Sequence, residues 1–270
     1  MQMRSARRPA ATNPEAAAPP GPAFPVGTTR RLLDVVVSAL LLVLASPVLL
    51  VVAVLIAVDD GLPVLYRQVR VGERGDTFRL LKLRSMRTEQ EGAAVTAEGD
   101  PRITRVGKVL RRTALDELPQ LWHVLCGQMT LVGPRPESLA LAQRYAPAHR
   151  RVLAARPGLT GPAQLRFRER SAVPPSGADA VGVEEWYLRV LVPQRVRADL
   201  EYLEHPTLRA TLRWLAVTAL FVVGLVDVQE PPTPAGAAGP SAAGPSAGGP
   251  SAGGRGTVRG AVPAQRTPEG

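Results

Sequence analysis

The chain has 270 residues, 45% of them hydrophobic, and a formal charge of +10 from 33 Lys/Arg against 23 Asp/Glu. That allows one sizeable core and points to anionic partners: phosphorylated small molecules or anionic lipid. A single cysteine, Cys126, excludes an internal disulfide framework, and with four Phe, four Tyr and no aromatics set among the basic runs, nucleic acid is not an expected partner.

Both ends are low in complexity. Residues 1–27 are rich in Ala and Pro, and residues 229–270 carry near-repeats such as GPSAAGPSAGGPSAGG. Such tracts offer too little apolar surface to offset the entropy of ordering, so both are expected to be disordered tails. The three histidines, His123, His149 and His205, have no metal-ligand spacing.

Residues 35–58 read VVVSALLLVLASPVLLVVAVLIAV without a charge, and as a straight helix would extend about 36 Å, enough for a hydrocarbon core of about 30 Å. The run is too long for a secretory signal, and no small-x-small cleavage site follows it. Pro47 removes an amide and pushes on the preceding turn, while Ser46 can return its hydroxyl to the Leu42 or Val43 carbonyl. Each arm alone reaches only the middle of a bilayer. Arg30 and Arg31 precede the run, and Arg67, Arg70 and Arg74 follow it, so both flanks carry the charge of a cytoplasmic side. A re-entrant helix broken at Ser46-Pro47 satisfies both flanks; a Pro-kinked spanning helix is the alternative that these residues leave open.

Next, VLYRQVRV, the turn residues GERGD, and TFRLLKLRSM with Phe78 and Leu80 on one face predict a β-hairpin. It ends in three cations, Lys82, Arg84 and Arg87, which suit either a phosphate site or a solvated strand end. A polar loop leads to ITRVGKVLRRT, an amphipathic basic helix suited to anionic headgroups.

In LRRTALDELPQLW an adjacent Asp116-Glu117 pair precedes Pro119, and Leu118, Leu121, Trp122 and Leu125 recur at helical spacing. Proline fits only a first helical turn, which predicts Asp116 as the N-cap and Glu117 as the first helical residue. A helix start favours negative charge, whether a carboxylate that simply caps or a bound phosphate. Downstream, Pro134 and Pro136 stiffen Arg135 in LVGPRPES for a bidentate grip on phosphate, and RPGLTGPAQ adds a loop whose glycines could approach a ligand closely. The apolar run at 214–226 is too short to span and is expected on the core or in the interface, with Trp214 near the headgroups.

KLRSM, DPRITRVGKVLRRTALDELPQLWHVLCGQMTLVGPRP and RPGLTGPAQ, in that order after RRLLDVVVSALLLVLASP, resemble the bacterial sugar transferase family, monotopic polyprenyl-phosphate phosphoglycosyl transferases, over residues 29–228. The resemblance is to the short members of that family. It implies an α+β fold: a mostly helical single catalytic domain at 61–228 with a small β-hairpin, on the cytoplasmic face of the bacterial inner membrane, preceded by a re-entrant membrane helix at 28–60. It also implies transfer of a sugar 1-phosphate from a UDP-sugar to polyprenyl phosphate, with Mg²⁺ and release of UMP, as a first membrane step of polysaccharide or glycoconjugate synthesis.

Asp116 would be the nucleophile and a Mg²⁺ ligand, with Glu117 assisting. Lys82, Arg84, Arg111 and Arg135 would handle phosphate, and a homo-oligomer is left open. After TGPAQ this chain departs from the family's Gly-Arg-Asn type loop; Arg166 or Arg168 would supply an arginine there. Two other functions compete: a basic membrane adaptor whose carboxylates only cap a helix, and a transferase acting on a lipid-linked sugar and releasing UDP.

Overall fold

The computed structural model describes residues 24–87, 100–167, 180–226 and 228, all within one compact unit. The expected tails at 1–23 and 229–270, the polar loop at 88–99 and the segment 168–179 with Arg168 lie outside the described residues. Residues 24–27, which composition places in the N-terminal tail, are among the described residues. Phe24 forms a parallel bridge with Ala155, packs on the core and lies 5.3 Å below the Arg151 guanidinium, because an aromatic ring carries enough apolar area to hold its segment down.

Helix α1, Thr28–Asp60, is the one described helix long and apolar enough to cross a membrane. Its backbone stays helical through Pro47, so the expected break is not a gap in the helix. Ser46 Oγ donates to the Val43 carbonyl at 2.8 Å, the acceptor that proline leaves without its amide. No residue from 39 to 51 is buried. Both ends, by contrast, pack on the same body.

At the N-terminal end, Asp34 is fully buried and accepts from Thr130 Oγ at 2.7 Å and from the Leu131 amide at 3.0 Å. Arg31 donates to the carbonyls of Val124 and Leu125, and Arg30 to that of Val132 at 3.2 Å. The two flanking arginines therefore serve as clamps. At the C-terminal end Val52 and Ile56 form a small core with Leu83 and Leu110. Arg84 donates to the carbonyls of Asp60 and Gly61 and pairs with the Asp60 carboxylate at 3.1 Å.

The predicted hairpin is present: β1 Leu65–Val71 pairs antiparallel with β2 Thr77–Leu83, Tyr66 opposite Lys82. Alternation buries Phe78 and Leu80, and the same parity turns Lys82 inward. The free edge of β2 is held by His123, whose Nε2 accepts from the Leu81 amide at 3.0 Å while Nδ1 meets Gln128 Oε1 at 2.7 Å. That pattern fixes a neutral imidazole with its proton on Nδ1.

Helix α2, Arg105–Thr113, is capped by Thr104 and approaches Ser85 so closely that a Cβ on Gly107 would sit 2.0 Å from the Ser85 carbonyl oxygen. Its apolar side, Val106 and Leu110, faces α1 and the hairpin rather than lipid, leaving Arg105, Lys108, Val109 and Arg112 exposed.

A short parallel pair follows, β3 Thr130–Val132 with β4 Gly158–Thr160. The remaining helices are α3 Leu121–Leu125, α4 Leu139–Gln143, α5 Pro162–Arg166, α6 Ala180–Trp186, α7 Val192–Glu204 and α8 Leu208–Val222. A π-helical turn, Tyr187–Leu191, joins α6 to α7. Helix α8 packs one side on the core, with Thr218 bonded to Thr160 at 2.8 Å, and exposes Leu208, Leu212 and Leu220. Trp214 is partly buried beneath Arg166 and Arg213.

Candidate active site

The carboxylate pair sits in a 3-10 turn, Leu115–Gln120, between α2 and α3. Asp116 is not the expected N-cap: the turn starts from Ala114, a left-handed residue (φ 58°) that both ends α2 and opens the turn, with no side-chain cap. The Thr113 hydroxyl, at the end of α2, bonds back to the Val109 and Leu110 carbonyls. The tight turn also rotates the expected apolar stripe. Leu121 and Val124 are buried, while Trp122 is 55% exposed.

Three elements meet at this turn. From β2, Lys82 Nζ lies 3.1 Å from Glu117 Oε1; from the loop after β3, Arg135 Nη1 reaches the same oxygen at 3.2 Å. Burial works to raise the Glu117 pKa, but the two cations, by charge and by hydrogen bond, outweigh it and hold the carboxyl well below the usual range.

Asp116 is different. It is buried and, among the described residues, has no such ion pair or hydrogen bond; Lys82, Arg111 and Arg135 act on it through space. Burial first, then the neighbouring Glu117 charge, push its pKa up, and the three cations only partly offset this. Of the pair, one carboxylate is locked, and the other has no bonded partner among the described residues.

The structure thus gathers Asp116, Glu117, Lys82 and Arg135. Arg111 stands at the edge, its guanidinium 3.5 Å from Met86 Sδ and near enough to act on Asp116. Arg84 is buried and engaged at the end of α1, on the carbonyls of Asp60 and Gly61 and the Asp60 carboxylate, because the last carbonyls of a helix attract a cation. Ser46 and Pro47 are exposed on α1. Arg166 is engaged elsewhere, over Trp214 and 4.0 Å from Glu201.

The glycines of the third motif approach backbone, not ligand. A Cβ on Gly158 would lie 2.1 Å from the Gly133 nitrogen, and one on Gly161 would lie 2.4 Å from the Gly133 oxygen. Gln164 Nε2 donates to the carbonyls of Gly133 and Gly158, and the Gly158 amide to that of Pro134 at 2.7 Å. The two loops are one unit, and that unit presents Arg135.

With this geometry in view, a sequence profile of the bacterial sugar transferases matches residues 26–224. The chain belongs to the bacterial sugar transferase family. It is 41% identical over 190 residues to a UDP-glucose:undecaprenyl-phosphate glucose-1-phosphate transferase of Caulobacter vibrioides, covering 68% of this chain and 66% of the relative. It is 43% identical over 146 residues to the exopolysaccharide production protein PSS of Rhizobium leguminosarum, covering 51% of this chain and 73% of that one. It is 40% identical over 154 residues to a UDP-glucose:undecaprenyl-phosphate glucose-1-phosphate transferase of Escherichia coli, covering 52% of this chain and 32% of that one. The chain thus spans between about a third and three quarters of the length of these relatives.

Sequence reasoning missed Asp34, His123, Glu137, Tyr187, Arg195 and Asp199. Asp34 had a signal, an acid placed directly before a 24-residue uncharged run; the others fall in no spacing or motif that would mark them.

Proposed function

We propose that the chain transfers a sugar 1-phosphate from a UDP-sugar to polyprenyl phosphate at the cytoplasmic face of the bacterial inner membrane, releasing UMP. The observation that carries the reading is the division within the carboxylate pair: Glu117 is bonded to two cations, whereas Asp116, with no bonded partner among the described residues, feels three through space. Phosphoryl transfer between anions is limited by charge repulsion, so positioned cations supply most of the catalysis. Lys82, Arg111 and Arg135 neutralise the diphosphate. A carboxylate oxygen of Asp116 then attacks the phosphorus attached to the sugar, the bond to the bridging oxygen breaks, and UMP leaves with that oxygen. A phosphate oxygen of the lipid next attacks the same phosphorus and the Asp116 carboxylate departs, leaving a polyprenyl diphosphate sugar. The raised pKa of Asp116 suits this role, because basicity and nucleophilicity rise together.

Mg²⁺ fits the residues in a limited way. Among the described residues no group of three or more His, Cys, Asp and Glu comes together, and Glu117 is already held by cations. Asp116 is the side chain that would hold the ion, with substrate phosphates completing it, as is usual for Mg²⁺. When bound, it adds charge neutralisation at the diphosphate.

The re-entrant reading of α1 is supported by its ends. A helix pinned at Asp34 and at Asp60 to one body cannot place those ends on opposite faces of a bilayer, whereas its exposed middle, residues 39–51, can dip into one leaflet. That would hold the carboxylates at headgroup height, where the acceptor phosphate lies.

The test is a panel of UDP-sugars labelled in the phosphate next to the sugar, incubated with the purified protein, Mg²⁺ and polyprenyl phosphate. UMP release, and label on the protein when acceptor is withheld, are expected for the native chain; both should fall by on the order of 1,000-fold or more in Asp116→Asn. UDP in place of UMP favours a glycosyltransferase, and no nucleotide release from any donor favours the membrane adaptor.

A further inference from the structure

Behind Arg135 lies a buried polar network that the reaction as described does not use. Glu137, two residues beyond Arg135, is buried with Arg195, and its Oε2 accepts from Tyr145 at 2.9 Å and from Tyr187 at 2.5 Å. Its Oε1 accepts from the Ser138 amide at 2.8 Å, with Arg70 at 3.7 Å. Arg195 Nη1 donates to the Tyr187 hydroxyl at 3.1 Å, so a chain of donors runs from α7 through the π-helical turn to the Glu137 carboxylate. A turn of π-helix inside a helical run is rare and is found mainly where function requires it. Here it carries Tyr187.

The backbone on either side is equally committed. The Val71 amide donates to the Glu137 carbonyl at 2.9 Å, and Arg70 to the Pro136 carbonyl at 3.3 Å. Between Glu137 and Arg135 there is only Pro136, whose ring fixes its own φ and restricts the residue before it. A displacement of Glu137 is therefore passed to Arg135 with little slack. A small cavity of about 30 Å³, enough to admit water, is lined by Arg135, Glu137, Arg195 and Asp199 among others.

We propose that Glu137 and Tyr187 are positioning residues for Arg135: they set where its guanidinium meets Glu117 and the transferred phosphate, without touching substrate themselves. This rests on the phosphoglycosyl transfer proposed above. Burying a carboxylate among two phenols and a guanidinium is costly unless every partner is in place, so the assembly has one geometry rather than several. Tyr145, pushed well above its ordinary pKa by burial and then by the Glu137 charge, stays protonated as a donor at any physiological pH.

The experiment is a double-mutant cycle read as kcat/KM for UMP release with labelled donor. Displacing a catalytic group by about 1 Å costs on the order of 100-fold, the loss expected for Glu137→Gln, with about 10-fold for the milder Tyr187→Phe. In an Arg135→Ala background both losses should shrink to within about 2-fold, since the residue they act through is gone. Equal losses in both backgrounds would assign the network to general stability and overturn the proposal. So would full activity in Tyr187→Phe, which removes one hydroxyl and keeps the ring, and guards against misfolding of Glu137→Gln. An active native chain with additive losses defeats this inference alone; a native chain that releases no UMP defeats the reading beneath it as well.

Discussion

Replacing Gly158 by alanine tests whether two distant loops are built as one support for Arg135. The added Cβ would lie 2.1 Å from the Gly133 nitrogen and 2.6 Å from its Cα, against an ordinary contact of 3.4 Å, and every nearby atom is backbone. No side chain can swing away, so the strand carrying Gly158 and the Gly133-Pro134 loop must part by about 1.3 Å. That separation breaks the 2.7 Å bond from the Gly158 amide to the Pro134 carbonyl and loosens the Gln164 bridge to both glycines. Overpacking of this kind costs about 1–3 kcal/mol. The effect on turnover should be larger than the effect on folding, because the loop that moves carries Arg135, and a misplacement of about 1 Å can cost on the order of 100-fold in rate. The assay is UMP release at saturating donor beside thermal unfolding in detergent. An alanine variant that melts with the native protein and turns over at the native rate would refute the crossing of these loops.

Other substitutions address the supports around the site. Asp34→Ala leaves the Thr130 hydroxyl and the Leu131 amide buried without an acceptor and should cost about 3 kcal/mol, read by denaturant unfolding of the purified chain. Asp199, buried on α7 and bonded to the Ala163 amide at 3.3 Å, has its pKa pushed up to about 7, chiefly by burial. Between pH 4 and 7 its unfolded form has lost the proton that the folded form keeps, so stability falls as pH rises, by about 1.4 kcal/mol per unit for one proton, and levels off above the folded value. Asp199→Asn should flatten that slope; a slope unchanged by the substitution would contradict the assignment.

How far the fold could be read in advance depended on whether a signal was local. The hairpin was legible because alternation and turn residues fall within twenty residues, and Phe78, Leu80 and Lys82 share a parity that also turns the lysine inward. Helix α2 and the long apolar helix followed from periodicity and composition. The N-cap at Asp116 failed for a tertiary reason: Ala114 adopts a left-handed conformation that joins α2 directly to a tight turn, so the chain needs no capping side chain there. The pairing of β3 with β4 left no trace, since each strand has three residues and its partner lies about 28 positions away. Lys82, Arg84 and Arg87, three cations in six residues, look alike in sequence. Only the fold separates Lys82, inward at the carboxylates, from Arg84, folded onto the end of α1.

Why two adjacent carboxylates are needed can be argued from their unequal partners. Glu117 takes up Lys82 and Arg135 on one oxygen, and its charge in turn raises the pKa of Asp116. Glu117→Gln would remove that negative neighbour and weaken the hold on both cations, leaving them to face Asp116. Both changes favour the ionised aspartate, so its pKa should fall. If Asp116 is the nucleophile proposed above, the acidic limb of the kcat/KM profile should therefore move to lower pH, while the plateau rate drops because a less basic carboxylate is a weaker nucleophile. A limb that stays in place or moves to higher pH in Glu117→Gln would mean that Glu117 does not set the basicity of its neighbour, and the pair would then be two carboxylates sharing a turn and nothing more.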